Sequence, residues 1–431
     1  MGMLEFRNGK FDAAERYFRK AMKRLISRND NPYDTEVFYN LGLVLKMTGR
    51  YDEAYKYFYK AVWHYSWRSA GYYALAEISA RKGDLETALN EINFSLATNT
   101  DSVKGRNLKT VILRKLGRTE EALEMAKETA KTDLIDIWSR YEIYTICKNT
   151  GKMDEAAKIL EEIKVKVRNN AEYFIDVAID YSNAGFYEDA INILSDADGK
   201  YPMVNYYMGY YYEQIGDAQK ALEYYKLAEQ KPSDYCFPNR LDSINVLKCA
   251  QNMNPAGAKA FYYLGNLYYD KFRYEEAIEN WEKSRALDEN FAIVHRNLGI
   301  AYFDKRGDAV AAKASMEKAF SLDRNNSRIF YELQQLYKNV NVPIKERLAL
   351  YDEYSSVVEE RDDCYLEKVI LYTQVGKYDE AVEMLKNRKF NIYEGGEGKL
   401  TRHHGWLHFI MGLEKLAKGN MDEAIAQFKE A

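Results

Sequence analysis

The sequence is short of turn-formers. Its 431 residues include 6 Pro and 24 Gly, about 7% together, against roughly 12% in average usage, so most of the chain belongs to long regular elements. It also lacks long apolar runs. None approaches the length of about 18 residues that a membrane-spanning helix needs. The opening Met1-Gly2-Met3-Leu4-Glu5-Phe6-Arg7 has no basic head, apolar core or cleavage site, so no secretory signal is legible. Charge of one sign is missing too. Lys and Arg number 62 against 66 Asp and Glu, a formal net charge of −4, which leaves no global basic field for nucleic acid or an anionic membrane. Cysteine is scarce, and Cys147, Cys236, Cys249 and Cys364 show no CxxC spacing. Scattered thiols of this kind suit a reducing, cytoplasmic setting and hold no metal.

What is present is a folded composition, 47% hydrophobic and 30% charged, with an excess of tyrosine: 38 Tyr against 18 Phe and 5 Trp. Length alone suggests two or three domains, but the chain repeats itself. A Gly, a polar residue, a large apolar residue, one or two acids and Ala recur as Gly49-Arg50-Tyr51-Asp52-Glu53-Ala54, Gly151-Lys152-Met153-Asp154-Glu155-Ala156 and Gly376-Lys377-Tyr378-Asp379-Glu380-Ala381. The marked alanines fall at Ala14, Ala54, Ala88, Ala122, Ala156, Ala190, Ala221, Ala277, Ala312, Ala381 and Ala424, and four consecutive gaps are 34 residues. About twelve units result.

Each unit reads as a helix, a turn and a second helix. Gly supplies the left-handed residue that ends the first helix. The acids that follow complement the positive N-terminus of the second helix, and this dipole explains most of the repeated carboxylates. Ala marks the helix crossing, and an aromatic four residues on shares its face, as in Ala54/Phe58, Ala221/Tyr225 and Ala277/Trp281. Such a unit cannot bury its apolar face alone and must stack on neighbours. The pattern resembles the tetratricopeptide repeat, with its 34-residue period and Leu-Gly…Tyr…Ala…Phe spacing. The resemblance implies an all-α, right-handed superhelical solenoid that acts as an interaction scaffold and not as an enzyme. Two departures stand out: Pro at the helix ends is mostly missing, and the unit around Gln335 to Tyr354 lacks the Gly-Tyr-Asp-Glu-Ala step.

The period breaks once. Pro232, Pro238 and Pro255 frame a 56-residue gap containing one extra helix around Leu241–Lys248. This divides the chain into residues 1–231 with about seven units, an irregular joint over 232–256, and residues 257–431 with about five. The first unit begins inside its first helix and the last stops inside its second, without the polar caps that end solenoids. The chain therefore reads as a segment of a longer polypeptide, and its open ends would also allow self-association.

Residues 236–431 resemble, more closely, the C-terminal repeat half of bacterial proteins that carry an upstream β-sandwich similar to sugar mutarotases. The stretches that carry this likeness are Phe261 to Asp270, Ala277 to Glu282, His295-Arg296-Asn297-Leu298 and Glu394-Gly395-Gly396-Glu397-Gly398-Lys399. It implies an alternative role as the noncatalytic half of a carbohydrate-active enzyme, supporting a site on a domain outside this chain.

In solenoids of this kind the first helices line the concave face. That geometry predicts a band formed by Tyr206 and Tyr210, then Tyr262, Asn266 and Tyr269, then Arg296, Ile300 and Phe303, then Tyr331 and Gln335, with Glu394 and Glu397 in the glycine-rich loop. Phenol, amide and guanidinium groups with few carboxylates suit a peptide segment or another domain of the parent chain. The competing assignment is that these tyrosines fill the packing between repeats, as Tyr225 does. The loop is no phosphate cradle, because Leu400 follows Lys399 and no strand precedes it. His404 and His408 share a helix face, but Gly405 stands where a zinc-peptidase helix needs Glu, and two histidines leave a metal short of ligands. No nucleophile, acid/base pair or cofactor motif is present.

Overall fold

The computed structural model describes residues 1–391 and 396–431. Among them every regular element is a helix, and the helices pair into hairpins along the chain. The chain divides into two compact units, Met1–Leu287 and Asp288–Ala431.

The repeated Gly behaves as the sequence requires. Gly49 has φ +77°, one of a series of positive-φ glycines that runs from Gly9 to Gly419. Its N–H donates to the Lys46 carbonyl at 3.0 Å, and the next N–H, of Arg50, donates to Leu45 at 2.8 Å. These two bonds satisfy carbonyls left open at the helix end. Where Gly is absent the same conformation falls on Phe272 (φ 57°) and Asn341 (φ 57°), at a steric cost that a Cβ imposes.

The helix crossing is equally legible. Ala54, Ala88, Ala122, Ala221 and Ala277 are fully buried. A second glycine, in the first helix, makes room for the aromatic of the second. A Cβ on Gly265 would lie 2.5 Å from the Trp281 ring, and one on Gly42 would lie 2.7 Å from Phe58. Burying such side chains contributes about 1.5–3 kcal/mol each, and only when the helices close to this distance.

The first unit holds eight hairpins, from Gly2–Arg7 with Phe11–Leu25 to Ala258–Asp270 with Tyr274–Leu287. The extra helix expected near residue 241 is Asp242–Met253. It packs against both Pro202–Gln214 and Ala258–Asp270, so the stretch read as an irregular joint continues the stack. The break between compact units falls later, at Leu287.

Among its described residues the second unit holds four hairpins. Its first one reaches its turn through a short π-helical stretch, Tyr302–Arg306. The degenerate repeat is the pair Ser327–Asn339 and Ile344–Glu353, whose helices hardly approach each other. Gln334 and Arg347 occupy the places taken by Gly42 and Ala54, or by Gly265 and Ala277, in other hairpins. Both are buried, and the Gln334 amide finds no hydrogen-bond partner. Two bulky polar side chains at the crossing account for the splayed hairpin.

Candidate functional site

Within the first unit the array curves until early repeats meet late ones, and the contacts gather at the C-terminal ends of first helices. Arg81, the last residue of Arg68–Arg81, donates to the carbonyls of Ser182 and Asn183 and to the Tyr187 hydroxyl. Its guanidinium lies 4.3 Å from the centroid of the Tyr51 ring, a cation–π geometry. The backbones come so close that a Cβ on Gly185 would stand 2.8 Å from Arg81 Cα. Asn245 donates its amide to Met47 O at 3.1 Å, and Arg273 donates to Gly9 O at 2.8 Å. These contacts close part of this rim, leaving a small cavity of about 50 Å³ among Tyr51, Arg81, Tyr187, Tyr210 and Asn245 and a wider cleft of about 470 Å³ beside Gly9, Met47, Asn245 and Arg273.

A second opening adjoins the small cavity, sharing Ile179, Asn183 and Asp242 with it. A cleft of about 540 Å³ lies there, framed by Val103–Lys115, Trp138–Asn149, Ala171–Asn183 and the start of Asp242–Met253. Its polar lining is Lys104, Asp136, Asp176, Asp180, Arg240 and Asp242. Interleaved with these are the buried Trp138 and Val177, the half-exposed Tyr173 and Ile135, which is 80% exposed. Lys104 donates to Asp180 at 2.9 Å, and Arg240 donates to Asp176 at 2.7 Å. Burial pushes the Asp180 carboxyl up to about 6 despite Lys104, and burial likewise raises Asp242. Asp136 accepts both contacts of the Asn107 amide nitrogen at 3.1 Å and caps Trp138–Asn149 through Ser139 N–H at 2.9 Å.

A buried network stiffens the frame beside this cleft. Arg114 forks onto Glu142 at 2.7 and 3.0 Å and reaches Asp189 at 2.9 Å, joining three consecutive repeats. Tyr181 donates its hydroxyl to the same Glu142 and stacks edge-on against Trp138, with centroids 5.4 Å apart.

The residues expected to form the groove band have other positions. Tyr206 is fully buried. Its hydroxyl donates at 2.6 Å to Glu229, which also accepts the N–H groups of Lys259 and Ala260 and so caps the next first helix. Tyr206 therefore offers no surface to a partner. Tyr262 is buried, Asn266 accepts the Trp281 indole N–H at 3.0 Å, and Tyr269 packs on Trp281 with centroids 5.4 Å apart. Tyr210 is half-buried at the closed rim.

In the second unit Arg296 is committed to a two-pronged pair with Glu332, Tyr331 lies beneath Arg361 at 5.7 Å, and Gln335 and Ile300 are half-buried. Glu397 is exposed just before Lys399–Ala417; Glu394 lies outside the described residues. His408 is buried against Gln427 at 2.8 Å, and His403 meets Thr373 at 3.1 Å. Among the described residues no group of three or more His, Cys, Asp or Glu is placed to hold a metal, and no helix is long and apolar enough to cross a membrane.

None of the cleft residues was singled out from sequence. The available signal was weak: Asp176 and Asp180 are four apart on one helix face, with Lys104, Asn107 and Asp136 near first-helix starts in neighbouring units.

Profiles of the tetratricopeptide repeat match residues 1–62 and 176–235, and a TPR repeat profile matches residues 265–305. The chain carries tetratricopeptide repeats at these three places, and the hairpins between them share their geometry. Among curated relatives, the TPR repeat-containing protein MJ1428 of Methanocaldococcus jannaschii is 24% identical over 337 residues, 67% of this chain and 58% of that protein. The chain thus spans somewhat more than half the length of that relative. Solved structures with a similar course include yeast Tom70 (15% identity, 92% of this chain and 91% of that one, TM-score 0.27) and MamA (23%, 42% and 95%, 0.22). A third is Naa15/Naa10 bound to HypK-THB (13%, 100% and 74%, 0.29). Likenesses this loose carry no functional weight.

Proposed function

We propose that this chain is an interaction scaffold that holds an extended segment, either of another protein or of another domain of its own parent chain, against the concave side of its repeats. The observation that supports this most is the open cleft of the first unit, where four separate helices contribute to one mixed apolar and polar surface. Preformed helices spare a partner much of the ordering cost of binding, and half-exposed Tyr173 offers rigid apolar area with a hydroxyl. Of the tyrosines proposed from sequence, Tyr206 and Tyr262 are interior, which leaves Tyr210 and Tyr269 as candidates in the first unit and, separately, Tyr331 in the second. The carbohydrate-enzyme alternative rests on the resemblance of residues 236–431 alone.

Selection of a random peptide library on the full chain tests the proposal. The expected result is enrichment of a family of sequences that compete with one another and lose binding to the Tyr173→Ala chain. No enrichment, or enriched peptides indifferent to Tyr173→Ala, would overturn it.

A further inference from the structure

We infer that the open cleft of the first unit recognises a cationic side chain, arginine in preference to lysine, on an extended segment with an apolar residue beside it. This rests on the scaffold proposal and names the partner's chemistry. Asp136, Asp176, Asp180 and Asp242 face two cations, Lys104 and Arg240, leaving an excess of negative charge in a partly desolvated cleft. The carboxylates are not equally committed. Asp176 accepts one bond from Arg240 and its side chain remains 57% exposed, and Asp242 forms no ion pair with either cation.

A second observation points the same way. Asn107 is 1% exposed and lines the cleft. Its amide nitrogen is turned onto both Asp136 oxygens, which leaves its Oδ1 an acceptor with no partner. A buried acceptor left unmade costs about 1–3 kcal/mol, and what it lacks is a donor. Guanidinium brings five donors, no acceptor, and a planar fork that fits carboxylate pairs and stacks on aromatic faces. Tyr173, half exposed, lines the same cleft and offers such a face. Ile135 and Val177 provide the shelf for the apolar neighbour, and a segment lacking positive charge leaves the Asp cluster and Asn107 Oδ1 unanswered.

The test is fluorescence anisotropy with the full chain and a labelled peptide of repeated Ser-Leu-Arg triplets, compared with the same peptide carrying Gln, Glu or Lys in place of Arg. The expected order is Arg, then Lys, then Gln and Glu, with the Arg peptide about tenfold tighter than the Gln peptide, which is about 1.4 kcal/mol. Asp176→Asn, whose exposed position leaves the fold intact by circular dichroism, weakens the Arg peptide several-fold and the Gln peptide hardly at all. Glu124→Gln, an exposed acid on the helix Thr119–Thr132, changes neither.

Equal binding of the Arg, Gln and Glu peptides would overturn the inference while leaving the scaffold proposal standing, and so would preference for Glu. Equal loss with Asp176→Asn and Glu124→Gln would mean a diffuse field rather than a site, and would overturn it too. Binding of none of the peptides overturns the inference, and the library selection then decides the scaffold proposal separately.

Discussion

Glu142 is fully buried, and its carboxylate accepts two bonds from Arg114 and one from Tyr181. Glu142→Leu removes the anion and leaves the Arg114 guanidinium, only 9% exposed, with Asp189 as its sole partner. Lys115 already claims the other oxygen of that carboxylate at 2.7 Å. Breaking one side of a buried pair costs about 3–5 kcal/mol, because the surviving charge stays desolvated. The Tyr181 hydroxyl adds about 1 kcal/mol or more as an unmade buried bond. Urea unfolding followed at 222 nm should show the midpoint of the first transition fall steeply for Glu142→Leu, and for Arg114→Leu by a similar amount. The double substitution Arg114→Leu/Glu142→Leu should recover most of the loss, since no lone charge remains between the two sites. A Glu142→Leu cost under about 1 kcal/mol, or strict additivity of the two single changes, would refute the reasoning.

Other outcomes follow from single positions. Gly265→Ala should destabilise by about 1–3 kcal/mol, because the Trp281 ring is held by Asn266 and the new Cβ also meets Ala277 O at 3.1 Å; a rise in melting temperature would show that the crossing has slack. Gln334→Met should stabilise by about 1–3 kcal/mol, since it replaces an amide with no partner by an apolar chain of similar size; a loss of stability would mean that the amide is satisfied in solution. Binding of an arginine peptide should weaken as pH falls through about 6. Asp180, faced by Lys104, Lys46 and Glu77, has its carboxyl raised to that value by burial and is neutral below it. For stability alone the sign is opposite: a carboxyl raised in the fold binds its proton more tightly there than in the unfolded chain, so its contribution falls as pH rises from about 4 to about 6. Isothermal titration at pH 5 and pH 7.5 reads the first effect, and pH-independent affinity would contradict it.

The fold was legible because its determinants are local. Gly49 and Ala54 lie five residues apart, and the Gly that admits Phe58 lies sixteen residues before it in the same hairpin. The degenerate unit was legible too, as the place where the pattern fails, and Gln334 and Arg347 are the physical content of that failure. The site was not legible. Helical periodicity assigned Tyr206 and Tyr262 outward, but a face that looks free in one hairpin is covered by the next, and Glu229 draws the Tyr206 hydroxyl inward to cap the following helix. Closure of the first unit brings Arg81 to Ser182 and Asn183, about a hundred residues away. That closure is a sum of small rotations between repeats that no spacing in the sequence records. Lys104, Asp176 and Arg240 meet only as its result.

Hydrogen exchange of the full chain, with and without saturating arginine peptide, tests the central claim most directly. Protection should rise at the starts of Val103–Lys115, Trp138–Asn149 and Asp242–Met253 and along Ala171–Asn183, with the second helices Thr119–Thr132 and Met153–Lys166 unchanged. Protection confined to those second helices would place the partner on the outer face and contradict the account.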